Sequence, residues 1–122
     1  MAWKPLDPRR MRNRIRIEQE QRTPNGQGGF SNSWQPLATL WAQKIPLRGD
    51  EIVRDGITRA VSMARFVIRH REDLQESFRL VEVRRVAGAD QVIGTPWDIR
   101  RIDDPYGQRD RLELVCERGV LA

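Results

Sequence analysis

The chain has 122 residues, of which 39% are hydrophobic and 32% are charged. This length supports one domain around one core and leaves too little apolar surface for a second domain. The charged fraction exceeds the roughly 25% that is typical of globular chains, which indicates a surface made for partners. The single cysteine excludes an internal disulfide framework and a multi-cysteine zinc site, and it is typical of a reducing compartment.

The net charge of +5 is concentrated at the N-terminus. Residues 1–16 contain six basic residues and one acidic residue, whereas basic and acidic residues balance in the remainder. Such a segment predicts either contact with a polyanion or an acidic surface, or a solubilising tail. We expect residues 1–12 to form a basic arm that is disordered in the isolated subunit, because its prolines block helix formation and its charges oppose collapse. The candidates for partner binding in this arm are Trp3, Lys4, Arg9, Arg10 and Arg12.

The first half of the chain predicts strands separated by long irregular segments. Ile15 and Ile17 alternate with charged residues, which is typical of a half-buried strand. Residues 21–33 are rich in Pro, Asn, Gly and Ser and predict a loop longer than a hairpin needs. A second strand is expected over residues 34–45, where Pro36 should lie at a strand end or an edge. Residues 47–62 combine two glycines with scattered apolar residues and predict a mobile excursion.

The second half predicts a strand around Phe66 and Ile68, another from Phe78 to Gly88, and a short one at residues 91–93. Two alternating runs then flank the turn cluster at residues 103–107 and predict a closing hairpin, in which Cys116 points inward. Together these segments predict an all-β fold, a small antiparallel β-barrel or sandwich of about six strands with long loops and little helix. The predicted domain covers residues 13–118, and a short C-terminal tail follows at 119–122.

No catalytic or metal-binding set can be assembled from the sequence. His70 is the only histidine, and no cysteine lies near it in sequence to share a metal. Asp103 and Asp104 directly precede Pro-Tyr-Gly, where aspartate is typical of a tight turn. We therefore predict that the protein is not an enzyme and needs no cofactor or metal. The absence of a signal peptide or a long apolar run predicts a soluble protein without membrane contact.

Basic strands interleaved with aromatic residues leave one alternative function open, a small basic β-barrel that binds nucleic acid by stacking. Trp34, Trp41 and Trp97 lie in phase with apolar neighbours, however, which predicts that most of them pack in the core. Trp3 is the exception, because it lies in the arm at a distance from any core.

Four segments, taken in order, resemble the head–tail joining proteins of tailed phages, also called head closure or stopper proteins. They are "MRNRIRIEQ", "WQPLATLWAQKIPLRGDE", "FVIRHREDL" and "WDIRRIDDPYGQRDRLELVCE". The resemblance runs from Met11 to Glu117, although residues 79–92 are longer and more charged than the usual linker of that family. It implies a β-barrel subunit in a homo-oligomeric ring, a dodecamer rather than a hexamer, in the neck of the virion.

The same resemblance implies the partners and the location. The ring would lie between the portal or adaptor protein and the tail terminator or tail tube protein, would surround packaged double-stranded DNA, and would be assembled in the host cytoplasm. The excursion at residues 47–62 would reach the DNA channel and help to retain the genome. Its channel-loop candidates are Arg48, Asp50, Glu51, Arg54, Asp55 and Arg59.

Mixed charges on the outer face of the closing hairpin suit side-by-side contact between subunits, because one charged patch must meet a different one on its neighbour. The candidates for this subunit interface are Arg100, Arg101, Arg111, Glu113 and Glu117.

Overall fold

The computed structural model describes residues 4–47, 51–54 and 57–119. Within these ranges a single 3-10 turn, Pro8–Arg10, precedes seven strands. The strands are β1 (Asn13–Pro24), β2 (Phe30–Leu47), β3 (Glu51–Arg54), β4 (Ile57–Arg69), β5 (Arg79–Val86), β6 (Ala89–Asp103) and β7 (Arg111–Gly119). This confirms the prediction of an all-β fold with little helix.

The strand pairings close on themselves. The hydrogen-bonded order is β2-β1-β5-β6-β7-β4, and β4 pairs back to β2, so six strands of the described chain form a closed antiparallel sheet. The short β3 pairs with the beginning of β4. Closure matters because it leaves few free strand edges in the sheet.

The core follows the predicted two-residue alternation. Ile15 and Ile17 of β1, and Phe66 and Ile68 of β4, are fully buried. Cys116 is also fully buried, as predicted, and burial raises the pKa of its thiol. The remaining members of the buried cluster are Ala42, Ala64, Phe78, Leu80, Trp97, Ile99, Leu112 and Leu114.

A polar cluster lies inside the closed sheet beside Trp97. Glu82 is opposite the buried Ile15 and therefore points inward. One of its carboxylate oxygens accepts hydrogen bonds from the Lys44 ammonium at 2.8 Å and from the Trp97 indole N–H at 3.0 Å. The interior charge is thereby paired and hydrogen-bonded, which a partly buried carboxylate requires.

The predicted long loop at residues 21–33 is wrong, because most of it is strand. β1 and β2 continue as a two-stranded hairpin beyond their contacts with the rest of the sheet, and only residues 25–29 are a loop. The Asn25 side-chain oxygen closes that loop by accepting from the backbone N–H groups of Gln27 and Gly29. We call residues 19–24 and 30–35 the ribbon; apart from Gln19 and Trp34, its residues are exposed.

Pro36 lies inside β2 but at an edge, as the sequence allows, because β2 pairs there with β1 alone; a register shift opposite Ile17 and Glu18 accommodates it. Two further sequence predictions need correction. Residues 91–93 are not a separate strand, because β6 continues from Ala89 through Pro96 into the closing hairpin. The excursion at residues 47–62 is likewise more regular than predicted, since β3 and the beginning of β4 form a hairpin register there.

A tight turn joins β5 to β6 and offers a stability test. Ala87 and Gly88 both have positive φ, at 51° and 82°, and Val86 pairs directly with Ala89. A two-residue turn of this kind favours Asn at its first position, because Asn tolerates the left-handed region better than Ala. We expect Ala87→Asn to raise the free energy of unfolding by about 0.5–1 kcal/mol in urea denaturation. Ala89→Asn, on the adjacent strand, is the control and should bring no gain.

Candidate functional site

The N-terminal arm takes a defined course in the structure. The Asp7 carboxylate accepts from the Arg9 backbone N–H at 3.0 Å and caps the 3-10 turn. The side chains of Arg9 and Arg10 remain 89% and 71% exposed. Both side chains pair with the Asp7 carboxylate, at 3.2 and 3.9 Å, but their exposure keeps them accessible to an acidic partner. Trp3 lies outside the described residues.

The arm is attached to the beginning of β7, which is more order than its sequence predicts. The Arg111 guanidinium donates to the backbone carbonyl of Lys4 and pairs with Asp110 at 2.8 Å. Hydrogen bonds from Arg111 and from the Leu6 backbone lower the pKa of Asp110. Because the pKa of Asp110 is lowered, its pairing with Arg111 contributes fully to stability above the ordinary carboxyl pKa. That contribution is lost as the pH falls through the lowered value.

The predicted channel loop is only partly described. Arg48, Asp50 and Asp55 lie outside the described residues. Glu51 and Arg54 lie on β3, and Arg59 lies on β4 opposite Ile52. The backbone therefore brings these last three onto one hairpin, although the structure does not describe their side chains.

The predicted subunit-interface residues are engaged within the subunit. Arg100 pairs with Glu117 at 3.2 Å, and Arg65 pairs with Glu113 at 3.5 Å. Arg101 is 63% exposed and pairs with Asp103 at 2.7 Å. Arg111, in contrast, is only 14% exposed because it binds the arm. Of the five candidates, Arg101 presents the largest exposed side-chain fraction for contact with another molecule.

A buried carboxylate lies where the ribbon leaves the closed sheet. The Glu18 side chain is 6% exposed and pairs with Arg79 at 2.8 Å and Arg16 at 2.9 Å. The Arg79 guanidinium also stacks 4.3 Å from the centre of the Trp34 ring. This network connects the base of the ribbon to β5, because Glu18 is the last residue of β1 that pairs with β5.

Sequence reasoning missed an open groove, which we call the Trp41 groove. It has a volume of about 760 Å³ and is lined by apolar and cationic side chains, including Met11, Leu40, Trp41, Arg12, Arg69 and Arg71. Trp41 is 53% exposed, so its predicted place in the core is wrong. The inward phase of β2 is set by the fully buried Ala42, and this phase, had it been recognised, would have placed Trp41 outward.

The part of the chain with described side chains contains no cluster of His, Cys, Asp and Glu suited to a metal ion. Within the same described residues, no helix is long and apolar enough to cross a bilayer.

Comparison with known proteins gives a family and a fold. The model of the phage head completion protein family matches residues 6–119. The fold is similar to a chain of the virion of a native gene transfer agent particle, with 18% identity, a TM-score of 0.64, and coverage of 89% of this chain and 94% of that chain. It is also similar to a protein of Shigella flexneri 2a solved in solution, with 24% identity, a TM-score of 0.65, and coverage of 93% and 96%. At such identity these structural likenesses concern the fold alone. None of the curated proteins is similar enough to this chain to count as a match.

The family match includes the arm from residue 6 and the closed sheet to the end of β7. It confirms, at the level of the family, the resemblance that the four sequence segments indicate. The chain belongs to the phage head completion protein family, a family of structural proteins of the virion.

Proposed function

We propose that this protein forms a ring of its own copies in the neck of a tailed phage or a related particle, where it joins the DNA-filled head to the tail. A dodecamer is favoured over a hexamer. The portal or adaptor protein lies on one side of the ring, the tail terminator or tail tube protein lies on the other, and packaged double-stranded DNA passes through the centre. The observation that carries this proposal is the family match over residues 6–119 on a closed antiparallel sheet.

The described surface charges support contacts with several neighbours. The exposed Arg9 and Arg10 suit an acidic partner above or below the ring. Arg100 is 42% exposed and Asp98 is 60% exposed on the closing hairpin, which leaves both signs of charge accessible to the adjacent subunit. Alternating signs favour side-by-side register in a closed ring, where each interface joins two different surfaces.

Electron microscopy of negatively stained protein, alone and mixed with its portal complex, tests the ring directly. We expect rings stacked coaxially on the portal complex. A protein that stays monomeric and leaves the portal complex unchanged would contradict the proposal.

We further propose that the channel loop, which includes the hairpin of β3 and β4, helps to retain the genome. Its six predicted channel residues contain three basic and three acidic side chains, so the loop carries no net charge to hold passing DNA. We expect lysine at Asp50, Glu51 and Asp55 together to leave folding nearly unchanged, within about 0.5 kcal/mol per position, because the proposed loop faces the channel and not the core. The same change should impair retention or ejection of the genome, because six added units of positive charge would attract phosphates.

The measurement is the fraction of particles that keep their DNA and then release it on triggering. The control exchanges Arg48 with Asp50, which keeps the net charge. Normal retention and release by the triple lysine variant would mean that the loop does not face DNA.

One observation favours the alternative of a nucleic-acid-binding barrel. Trp41 is exposed beside arginines, as a stacking platform on a basic groove would require. A ring that merely encloses duplex DNA needs little affinity in the free subunit, so we expect neither tight binding nor a sharp dependence of affinity on salt in a gel-shift assay. Nanomolar binding of duplex DNA by the monomer at moderate salt would favour the alternative.

A further inference from the structure

The Trp41 groove lies where two paired strands separate. β2 pairs with β4 only from Gln43 to Leu47. From Phe30 to Ala42, β2 has β1 on one side and no described strand on the other. The groove is therefore bordered by a free strand edge as well as by side chains.

Beside the groove, this free edge lacks the usual protection against strand addition. Natural sheets shield their edges with charged side chains, prolines or bulges, because an unpaired row of N–H and C=O groups recruits other strands. No charged residue occurs from Phe30 to Ala42, although 32% of the whole chain is charged. Pro36, the one proline of this stretch, and the bulge at Leu37 lie five and four residues before Trp41, so neither blocks the edge beside the groove. The lack of shielding beside the groove indicates that another strand binds at this edge.

The chemistry of the groove indicates what the occupant carries. Met11 and Leu40 supply an apolar lining next to Trp41, whose ring is half exposed. Three arginines line the groove without any carboxylate among its lining residues. Arg71 pairs with Asp73 at 2.7 Å, but Arg12 and Arg69 have no ion pair with any described carboxylate. The groove therefore offers an apolar anchor point beside two uncompensated positive charges.

We propose that the Trp41 groove binds an extended acidic segment of a partner protein, which adds to the free edge of β2 as an extra strand. An apolar side chain of that segment packs on Trp41, and its carboxylates pair with Arg12 and Arg69. Strand addition obtains affinity from backbone hydrogen bonds and specificity from alternate side chains, which matches an edge next to a pocket. A nucleic acid fits less well, because it cannot complete a β-ladder and the described lining offers bases only the Trp41 indole and the smaller His70 imidazole for stacking.

The proposal does not rest on ring formation, because the groove belongs to one subunit. It is tested by selecting random heptapeptides on beads against the full chain and measuring the affinity of the selected peptides by fluorescence anisotropy. We expect selected peptides to contain Asp or Glu on both sides of one aromatic or aliphatic residue. Replacing every acidic residue of such a peptide with Lys should abolish binding, and methylating its backbone nitrogens should weaken binding because strand pairing needs those N–H groups.

Protein variants then locate the binding site. Trp41→Ala and Arg69→Glu should each weaken peptide binding by about tenfold or more, as loss of a central anchor does. Phe30→Ala is the matched control, because Phe30 lies on the same strand and is 57% exposed but lies at the far end of the ribbon. That variant should bind the peptides normally. Circular dichroism should show that all three variants are folded, since each change is at an exposed position.

Four outcomes would overturn the proposal. The selected peptides could lack acidic residues, or their affinity could be the same for Trp41→Ala as for the unchanged protein. An oligothymidylate probe could bind more tightly than the peptides and depend on Trp41, which would assign the groove to nucleic acid. Finally, Trp41→Ala could dissociate oligomers of the purified protein, which would assign the groove to contact between copies of this chain.

Discussion

Replacing Trp97 with alanine should lower the free energy of unfolding by about 3–5 kcal/mol, the usual cost of truncating a large buried aromatic residue. Trp97 is 2% exposed, and its ring meets Phe66 edge to face at a centroid distance of 5.6 Å. The Arg118 guanidinium lies 4.3 Å from the ring centre, and the indole N–H donates to Glu82. The truncation would thus open a cavity and also remove one hydrogen bond from an interior carboxylate. Urea denaturation followed by circular dichroism measures the effect.

Two controls separate the causes. Trp97→Phe keeps much of the apolar volume and removes the N–H donor, so we expect a smaller loss, of about 1–2 kcal/mol. Trp41→Ala removes an indole that is only half buried and should cost less than Trp97→Ala, about 1–2 kcal/mol. Should Trp97→Ala cost no more than Trp41→Ala, the position of Trp97 in the core would be refuted.

The contrast between these two tryptophans shows what the sequence can and cannot predict. Where apolar and charged residues alternate strictly, as around Ile15 and Ile17, the period of two fixes the buried face and the core was predicted correctly. β2 lacks such a pattern, because it has no charged residue before Lys44 and contains a register shift near Pro36. A shift of one residue exchanges the two faces of a strand, so local periodicity could not place Trp41.

The sequence predicts a loop in place of the ribbon for a related reason. Its Gly, Asn, Pro and Ser residues favour turns locally, but in residues 19–24 and 30–35 the backbone N–H and C=O groups that face the antiparallel partner strand are paired with it. The pairing of β2 with β4, which closes the sheet, joins strands whose order depends on the whole topology. Neither feature has a local sequence signal.

The composition predicts that these surfaces are charged, but it does not predict which side chains pair. The sequence indicates that the closing hairpin carries both signs of charge, and the structure adds that Arg100 reaches Glu117 across two strands. Which arginine finds which carboxylate depends on register and on the bulge between Ile99 and Arg101. The same holds for the Trp41 groove, where Arg12 and Arg69 are distant in sequence and meet only after the strands close.

Replacing Glu18 with alanine should lower the free energy of unfolding by about 2–3 kcal/mol, because it leaves Arg16 and Arg79 without their carboxylate. The expected loss lies below that of a fully buried ion pair, since both arginine side chains are about one quarter exposed, at 26% and 24%. The ribbon should also loosen, because an isolated two-stranded hairpin is marginally stable and Glu18 connects its base to β5. Hydrogen exchange of the backbone amides of residues 20–23 and 30–35 measures this loosening.

Glu20→Ala is the matched control, because Glu20 lies two residues further along β1, is exposed and forms no ion pair with any described residue. It should change stability by no more than about 0.5 kcal/mol. Combining Glu18→Ala with Arg79→Ala should cost less than the two single losses added together, with a coupling energy of about 1–2 kcal/mol, since each change removes the same contact. Additive losses, or equal ribbon exchange in the Glu18 and Glu20 variants, would show that the carboxylate does not join the ribbon to the closed sheet.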